Sequence, residues 1–392
     1  MASWEKFEPE LRLTRIKIKN FRNIKELDIE IPHHKKIICL VGPNGGSKSS
    51  LLSLVINALR GLTHESSADF QSKSFFSATD RFHRAFSTSE IGKAGHGYVF
   101  LMDWQSKDGN YHYHLLTHKP ESHQHEFIVQ LRQEFAIPVT HKWILEEWKN
   151  SVNSKQDPVA RSVFLFRPSD RFETPYYEEH EKNISFSSHF ATEDWVGRRF
   201  YPIRATSGLA EVESLILEVI LDQKMGNKYA DLAIDKILHI LKIFNISNEQ
   251  FNIQPWPFRR VGLGSLYTLS LLSAGELDIL VTAGNIIAQQ IYLSRKFDLD
   301  GDNEILPAGW VFIDEVDAHL HPQWQKRILP VFSELFPTIN FMVTTHSPFV
   351  LQSLPKDRSI VIRLPDGKVF EEDFASWCLN EILEIVFDIP SC

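Results

Sequence analysis

The run "VGPNGGSKSS", Val41 to Ser50, places a lysine and two serines directly after a cluster of glycines. Consecutive backbone N–H groups in such a loop, followed by a helix N-terminus, cradle an anion because those donors have no partner inside the helix. The phosphate-binding pattern is G-x-x-x-x-G-K-[ST]. Counted from Gly42, Lys48 and Ser49 fall where they should, but Ser47 stands in the place of the second glycine. With Asn44, Gly45, Gly46 and Ser50 completing it, the loop is either a working nucleotide site with a tighter turn or a nucleotide-binding fold that has lost its chemistry. In a working site Lys48 neutralises the β- and γ-phosphates and Ser49 offers its hydroxyl to Mg²⁺.

Three further stretches could complete such a site. "VFIDEVDAHLHP" sets Asp314 and Glu315 at the end of a hydrophobic run, at the strand edge where open α/β sheets bind ligands. There Asp314 would hold Mg²⁺ through water and Glu315 would polarise the attacking water. Adjacent carboxylates at that edge are costly unless a cation or hydrogen bonds compensate them. "LLSAGELD" puts Ser273 and Gly275 at the mouth of a helix, and "TTHSP" puts His346 after a buried strand, in reach of a γ-phosphate. Taken singly, the first is an ordinary N-cap and the second a structural histidine. Their common order on one frame lifts both above those readings.

The elements that must position these residues are legible from periodicity. "KIICLV" (36–41) is a continuous apolar strand feeding the glycine loop, and Leu51, Leu52, Val55 and Leu59 follow at helical spacing. "LTRIKIK" (13–19) and "LDIEI" (27–31) alternate as two antiparallel strands around "NFRN". "GYVFLMDW" and "YHYHLLTH" flank an Asp-Gly turn and predict a hairpin. Between 120 and 260 the chain turns aromatic, charged and mostly helical, with Ile234, Ile237, Leu238 and Leu241 on one helix face. After 260 the runs "GWVFID", "NFMVTT" and "SIVIRL" alternate with helices, which predicts an α/β fold with a mainly parallel sheet.

Composition sets the outer bounds. The 392 residues are 43% hydrophobic and 23% charged, enough for a large core and two structural units. No apolar run is long enough to span a membrane and the N-terminus is polar and acidic, so a cytoplasmic, non-membrane protein is expected. Cys39, Cys378 and Cys392 are too few and scattered for a disulfide framework or zinc site. The net charge of −8 argues against whole-molecule affinity for nucleic acid. Residues 1–60 nevertheless hold eleven Lys/Arg against six Asp/Glu, and such a basic end could form a local groove.

Taken together, "GPNGGSKSS", "LLSAGELD", "VFIDEVDAHLHP" and "TTHSP", preceded by "IKIKNFRNIKELDIEI", resemble the ABC-type ATPases of the SMC, RecF and OLD kind. The segment from Gly309 to Leu354 is similar to the AAA-family ATPases of Septu and retron-associated anti-phage defence. The resemblance implies a P-loop ABC-ATPase head, a mainly parallel sheet with an antiparallel β lobe and an inserted helical subdomain. Its units would be residues 1–120 with the glycine loop, 121–260 as the insertion, and 261–392 with the remaining motifs. It also implies ATP and Mg²⁺, and a homodimer or higher even oligomer with two nucleotides between protomers. Each nucleotide would lie on Gly42–Ser50 of one chain under Ser273 and Gly275 of the other, with Asp317 linking the two sites. Arg22 and Asn23 fall where relatives contact nucleotide. Gln105, with Gln71 behind it, is the expected link from loop to metal. A separate nuclease chain is the expected partner, under control of this ATPase. A nucleotide-locked assembly scaffold and a RecF-like repair ATPase touching nucleic acid are the alternatives.

Two departures and two decoys complete the reading. Ser47 replaces a residue that needs a permissive backbone, and Gly46 would take that conformation over one place earlier. The chain stops at "LNEILEIVFDIPSC", so no nuclease domain is expected within it. His112, His114, His118, His123 and His125 crowd one hairpin, but they lack the Cys or acidic partners of a metal site. "DLDGDNE" (298–304) begins like a calcium loop with its glycine misplaced.

Overall fold

The structure is a computed structural model that describes residues 11–62, 91–137 except 93–94 and 107–108, 139, 144–150, 162–169, 208–254 except 227, 260–296 except 267, and 306–389. Its strands, in chain order, are β1 (Leu11–Phe21), β2 (Ile24–Glu30), β3 (Ile37–Val41), β4 (Gly97–Ser106), β5 (Gly109–His118), β6 (Ile144–Asn150) and β7 (Val163–Arg167). They continue with β8 (Phe251–Ile253), β9 (Val261–Leu263), β10 (Gly309–Ile313), β11 (Ile339–Thr344), β12 (Ser359–Arg363) and β13 (Lys368–Phe370). The helices that matter for the site are α1 (Lys48–Leu62), α2 (Glu126–Glu134), α3 (Gly208–Lys224), α4 (Lys228–Ile243) and α5 (Ala274–Lys296).

One sheet has the order β13-β12-β3-β11-β10-β7, and all of its strands except β13 run parallel. Parallel strands covered on both faces need apolar residues at every position, and β3, β10 and β11 are buried throughout. Alternate residues sort into two cores. Ile37, Cys39, Val41, Val311, Ile313, Phe341 and Val343 meet the helices α3, α4 and α5 on one face. Ile38, Leu40, Trp310, Phe312 and Met342 meet α1 and the second sheet on the other. That second sheet, β2-β1-β4-β5-β6, is antiparallel, and α2 covers its far side through Ile128 and Leu131 on Val99 and Leu116. Among the described residues no helix is long and apolar enough to cross a membrane.

The stretch expected as a helical insertion is threaded through both sheets. β6 extends the antiparallel sheet and β7 forms the edge of the parallel one, so the helices of this stretch, among the described residues, are α2, α3 and α4. A five-residue strand inside a charged, aromatic region gives no alternation to read, which is why β7 escapes a periodicity argument.

The basic residues of β1 do not form an open groove. Arg15 makes paired bonds of 2.7 Å to Asp28, Lys19 lies 2.6 Å from Glu134, and Lys17 lies 3.4 Å from Glu134 with its ammonium over the Phe135 ring. The histidines hold structural positions, with the His118 and His123 rings 6.5 Å apart and His125 stacked on His96. His112 pairs with Asp103, His118 is buried, and His125 caps α2, and no group suited to a metal exists among the described residues. Gln71 and the 298–304 stretch lie outside the described residues.

Candidate nucleotide site at the parallel sheet edge

β3, β11 and β10 are neighbours and parallel, so their C-terminal ends deliver the glycine loop, "TTHSP" and the carboxylate pair to one edge. The loop leaves β3 through Gly42, whose φ is 136° and whose missing Cβ would lie 2.1 Å from the Leu364 carbonyl oxygen. Only glycine fits there. Gly45 is also left-handed, at 75°. Gly46 is not, and the permissive conformation falls on Ser47 itself, φ 70°, so the expected transfer to Gly46 does not occur. The geometry that a nucleotide loop demands is imposed on a residue with a Cβ, which costs about 1–3 kcal/mol. The Ser47 hydroxyl is buried and has no hydrogen-bond partner among the described residues.

Asn44, Gly45 and Ser49 are exposed at the loop mouth, while Lys48 and Ser50 are buried. The Lys48 ammonium folds back onto the Gly42 and Pro43 carbonyls at 2.9 and 3.0 Å. Burial lowers its pKa, and Asp314, Glu315 and Asp317 oppose that shift. The β1–β2 turn, with Arg22 at φ 49°, comes down beside the loop, where Asn23 Nδ2 donates to the Gly45 carbonyl at 2.7 Å.

Ser49 Oγ donates to Asp314 Oδ1 at 2.9 Å, and Thr344 Oγ1 donates to the same oxygen at 2.5 Å while accepting from Glu315 N at 2.7 Å. One threonine thus holds the Asp314 carboxylate and the backbone of Glu315, a role no motif assigns to it. Glu315 is left-handed at φ 50°. A hydroxyl and one carboxylate oxygen meeting at a loop mouth fit Mg²⁺, which takes few protein ligands and the rest from phosphate and water. They do not make a protein-only cage.

Asp317 accepts from Thr345 Oγ1 and from His346 N. Gln325 ties the same two loops, donating to the Asp317 and Leu320 carbonyls and accepting from Ser347 Oγ at 2.6 Å. His346 is exposed, and its pKa is lowered by burial of part of the ring and by Lys48, against Asp317, Glu315 and Asp314. The lowered pKa favours the neutral imidazole.

Ser273 caps α5 in a reciprocal box, with Ser273 N donating to Glu276 Oε2 at 2.6 Å. Gly275 packs on the loop after the carboxylates, since a Cβ there would lie 2.5 Å from the His319 carbonyl oxygen. The structure therefore brings Gly275 against His319, two residues after Asp317 of its own chain.

Gln105 is not part of this site. It pairs with Arg12 on β1, nine residues before Phe21, which at ~3.3 Å per residue is about 30 Å from the Arg22–Asn23 turn. Its neighbour Trp104 packs on Trp310, at the start of β10, whereas Asp314 follows the end of that strand. The antiparallel register puts Gln105 at the wrong end of the sheet.

A residue that motif reading missed is Arg167, which closes the apolar run "VFLFR" of β7 beside Ile313. An arginine ending a fully buried strand was the available signal.

The family model described as "AAA domain, putative AbiEii toxin, Type IV TA system" matches residues 37–352. The chain is similar to the "Retron Ec83 probable ATPase" of Escherichia coli, 35% identical over 123 residues, 29% of this chain and 21% of that protein. It is similar to the "Retron Vc95 probable ATPase" of Vibrio cholerae, 27% identical over 170 residues, 41% and 32% of the two chains. The "Septu protein PtuA" of Bacillus thuringiensis is 29% identical over 135 residues, 32% and 33%. The matched stretches thus span between a fifth and a third of these relatives. Among solved structures, the recombination mediator protein RecF aligns at 14% identity and TM-score 0.44 over 92% of this chain and 98% of its own. The Smc head domain from Pyrococcus furiosus aligns at 14% and 0.48 over 92% and 96%.

Proposed function

The chain belongs to this AAA-domain family, and from that premise we propose that it is a Mg²⁺-dependent, ABC-type ATPase that dimerises around ATP and controls a partner effector, a nuclease, in bacterial anti-phage defence. The observation that carries the catalytic part is the Ser49–Asp314 bond of 2.9 Å, with Glu315 beside it and Lys48 buried in the loop. Lys48 exchanges its two carbonyls for phosphate oxygens when ATP enters. Ser49 and Asp314 would hold Mg²⁺, which would supply charge neutralisation for the phosphates. Glu315 orients and deprotonates the attacking water, and neutral His346 donates to the γ-phosphate. Asn23 steadies the loop mouth, with Arg22 beside it. Ser273 and Gly275 of a second chain close over the nucleotide, and Asp317 reports between the sites. The defence role is supported by the names of the retron and Septu relatives.

A second reading, ATP binding with little turnover and a role in assembly, is favoured by the strained, buried Ser47. Single-turnover and steady-state hydrolysis with Mg²⁺, alongside ATP binding, separates the two. The ATPase reading expects wild-type turnover that Glu315→Gln lowers by roughly 10²–10⁴-fold with binding kept. A wild type that binds but is silent, and is awakened by Ser47→Gly, supports the scaffold. A wild type that binds no ATP sinks both.

A further inference from the structure

Arg167 ends β7, and its bonds reach in two directions. Its carbonyl accepts from Asp314 N at 2.8 Å, which fixes the peptide carrying that carboxylate. Its guanidinium Nη2 donates to Asp278 Oδ1 at 2.6 Å, the two side chains being 1% and 8% exposed. Asp278 lies in the first turns of α5, five positions after Ser273. Strand and helix meet again where Phe164 N donates to Gln289 Oε1 at 3.2 Å. The later helix residue meets the earlier strand residue, so α5 runs back along β7 and its N-terminal turn lies at the edge that carries Asp314.

An ion pair withdrawn from water adds little net stability, because an apolar pair of similar volume holds as well without the desolvation cost. What it adds is direction. A planar guanidinium bonded to a carboxylate fixes the rotation and axial position of a helix, where two leucines could slide. We propose that Arg167 is a positioning residue that holds the Ser273–Asp278 turn in register with the Asp314–Glu315 edge, so that displacement of either is transmitted to the other. This rests on the reading of Ser273 and Gly275 as a cap over a second chain's nucleotide. In such a dimer each strut ties a chain's own carboxylates to the turn that closes the other chain's site.

The test replaces the pair by apolar residues, Arg167→Met with Asp278→Leu, so that no lone charge is left buried. Wild type, this double variant and Arg167→Lys are compared in ATP affinity, in kcat, and in hydrogen–deuterium exchange of residues 273–280 with and without ATP and Mg²⁺. The expected double variant binds ATP as wild type does and turns over about tenfold slower or worse. ATP still protects its glycine loop but no longer the 273–280 turn. Arg167→Lys, which keeps the charge but not the planar fork, falls between. Wild-type kcat together with wild-type protection in the double variant overturns the proposal. If the double variant does not fold, Arg167→Lys decides: lower kcat at unchanged affinity supports the strut, and wild-type kcat overturns it. Absence of turnover in the wild type overturns the ATPase reading instead, so the two failures are distinct.

Discussion

The edge of the parallel sheet and the outer face of the antiparallel sheet handle charge in opposite ways. On the antiparallel sheet Arg15, Lys17 and Lys19 stand on alternate positions of a regular strand and meet Asp28 and Glu134 at the surface. At the parallel edge Lys48 is buried against carbonyls, Asp314 shares one oxygen between two hydroxyls, and Ser47 and Glu315 sit in left-handed conformations. The first arrangement pairs its charges within the chain. The second leaves a cation, a strained loop and a carboxylate pair where phosphate chemistry would use them, and strain that persists only because its surroundings enforce it marks sites of function.

The difference can be broken most severely at the loop. Gly42→Ala puts a Cβ against the Leu364 carbonyl and forces an L-residue to φ 136°, so a loss of about 3 kcal/mol or more is expected in urea unfolding. Gly45→Ala, with open space around the same kind of backbone, should cost only about 1 kcal/mol. Equal losses would show that backbone conformation, and not the Leu364 contact, dominates the loop.

An intermediate effect comes from the layer behind the sheet. Burial lowers the Lys236 pKa from 10.5 to about 8, beside the Leu335 carbonyl and the Phe336 ring. Below pH 8 folded and unfolded chains both hold the proton and the burial penalty is present in full. Between pH 8 and 10.5 the unfolded chain holds more protons, so stability should rise with pH in that window. Lys36, also lowered to about 8 by burial, adds in the same direction. Lys236→Met should stabilise the protein by about 1–2 kcal/mol at pH 7 and flatten part of that rise. A flat wild-type profile from pH 8 to 10 would contradict the assignment.

The smallest effect is expected on the antiparallel sheet, where Glu134→Gln removes the partner of Lys17 and Lys19. Exposed pairs of this kind contribute about 0.2–1 kcal/mol, less in salt. If the variant instead gains salt-sensitive nucleic-acid binding that the wild type lacks, Glu134 is a shield and the stripe beneath it a latent surface.

Much of the candidate site is legible because its motifs are local. Gly42 to Ser50 and Asp314–Glu315 can be read from short strings, and the apolar runs of β3, β10 and β11 fix their placement on one sheet edge. What was illegible depends on register or on distant pairing. Gln105 looked plausible until the β1–β4 register carried it to the opposite end. Arg167 needed a partner 111 positions away, and no spacing rule links the two. Ser47 shows a different limit. The sequence marks it as a departure, but that Ser47 itself takes the left-handed turn, while Gly46 sits where a Cβ would press on the Pro43 and Leu364 carbonyls, depends on a strand more than 300 residues away.

β3 has its sheet neighbours in β11 and β12, and the floor beneath Gly42 is the Leu364 carbonyl. During synthesis the glycine loop leaves the ribosome long before the strands on either side of it, Ile339–Thr344 and Ser359–Arg363. Until then the strand has no partners on its two edges and the loop has no floor. Contacts so distant in sequence form slowly and leave apolar strands uncovered meanwhile. A nascent chain that has not reached β12 carries the glycine-loop string without its shape, so the candidate site cannot form before both strands have been made.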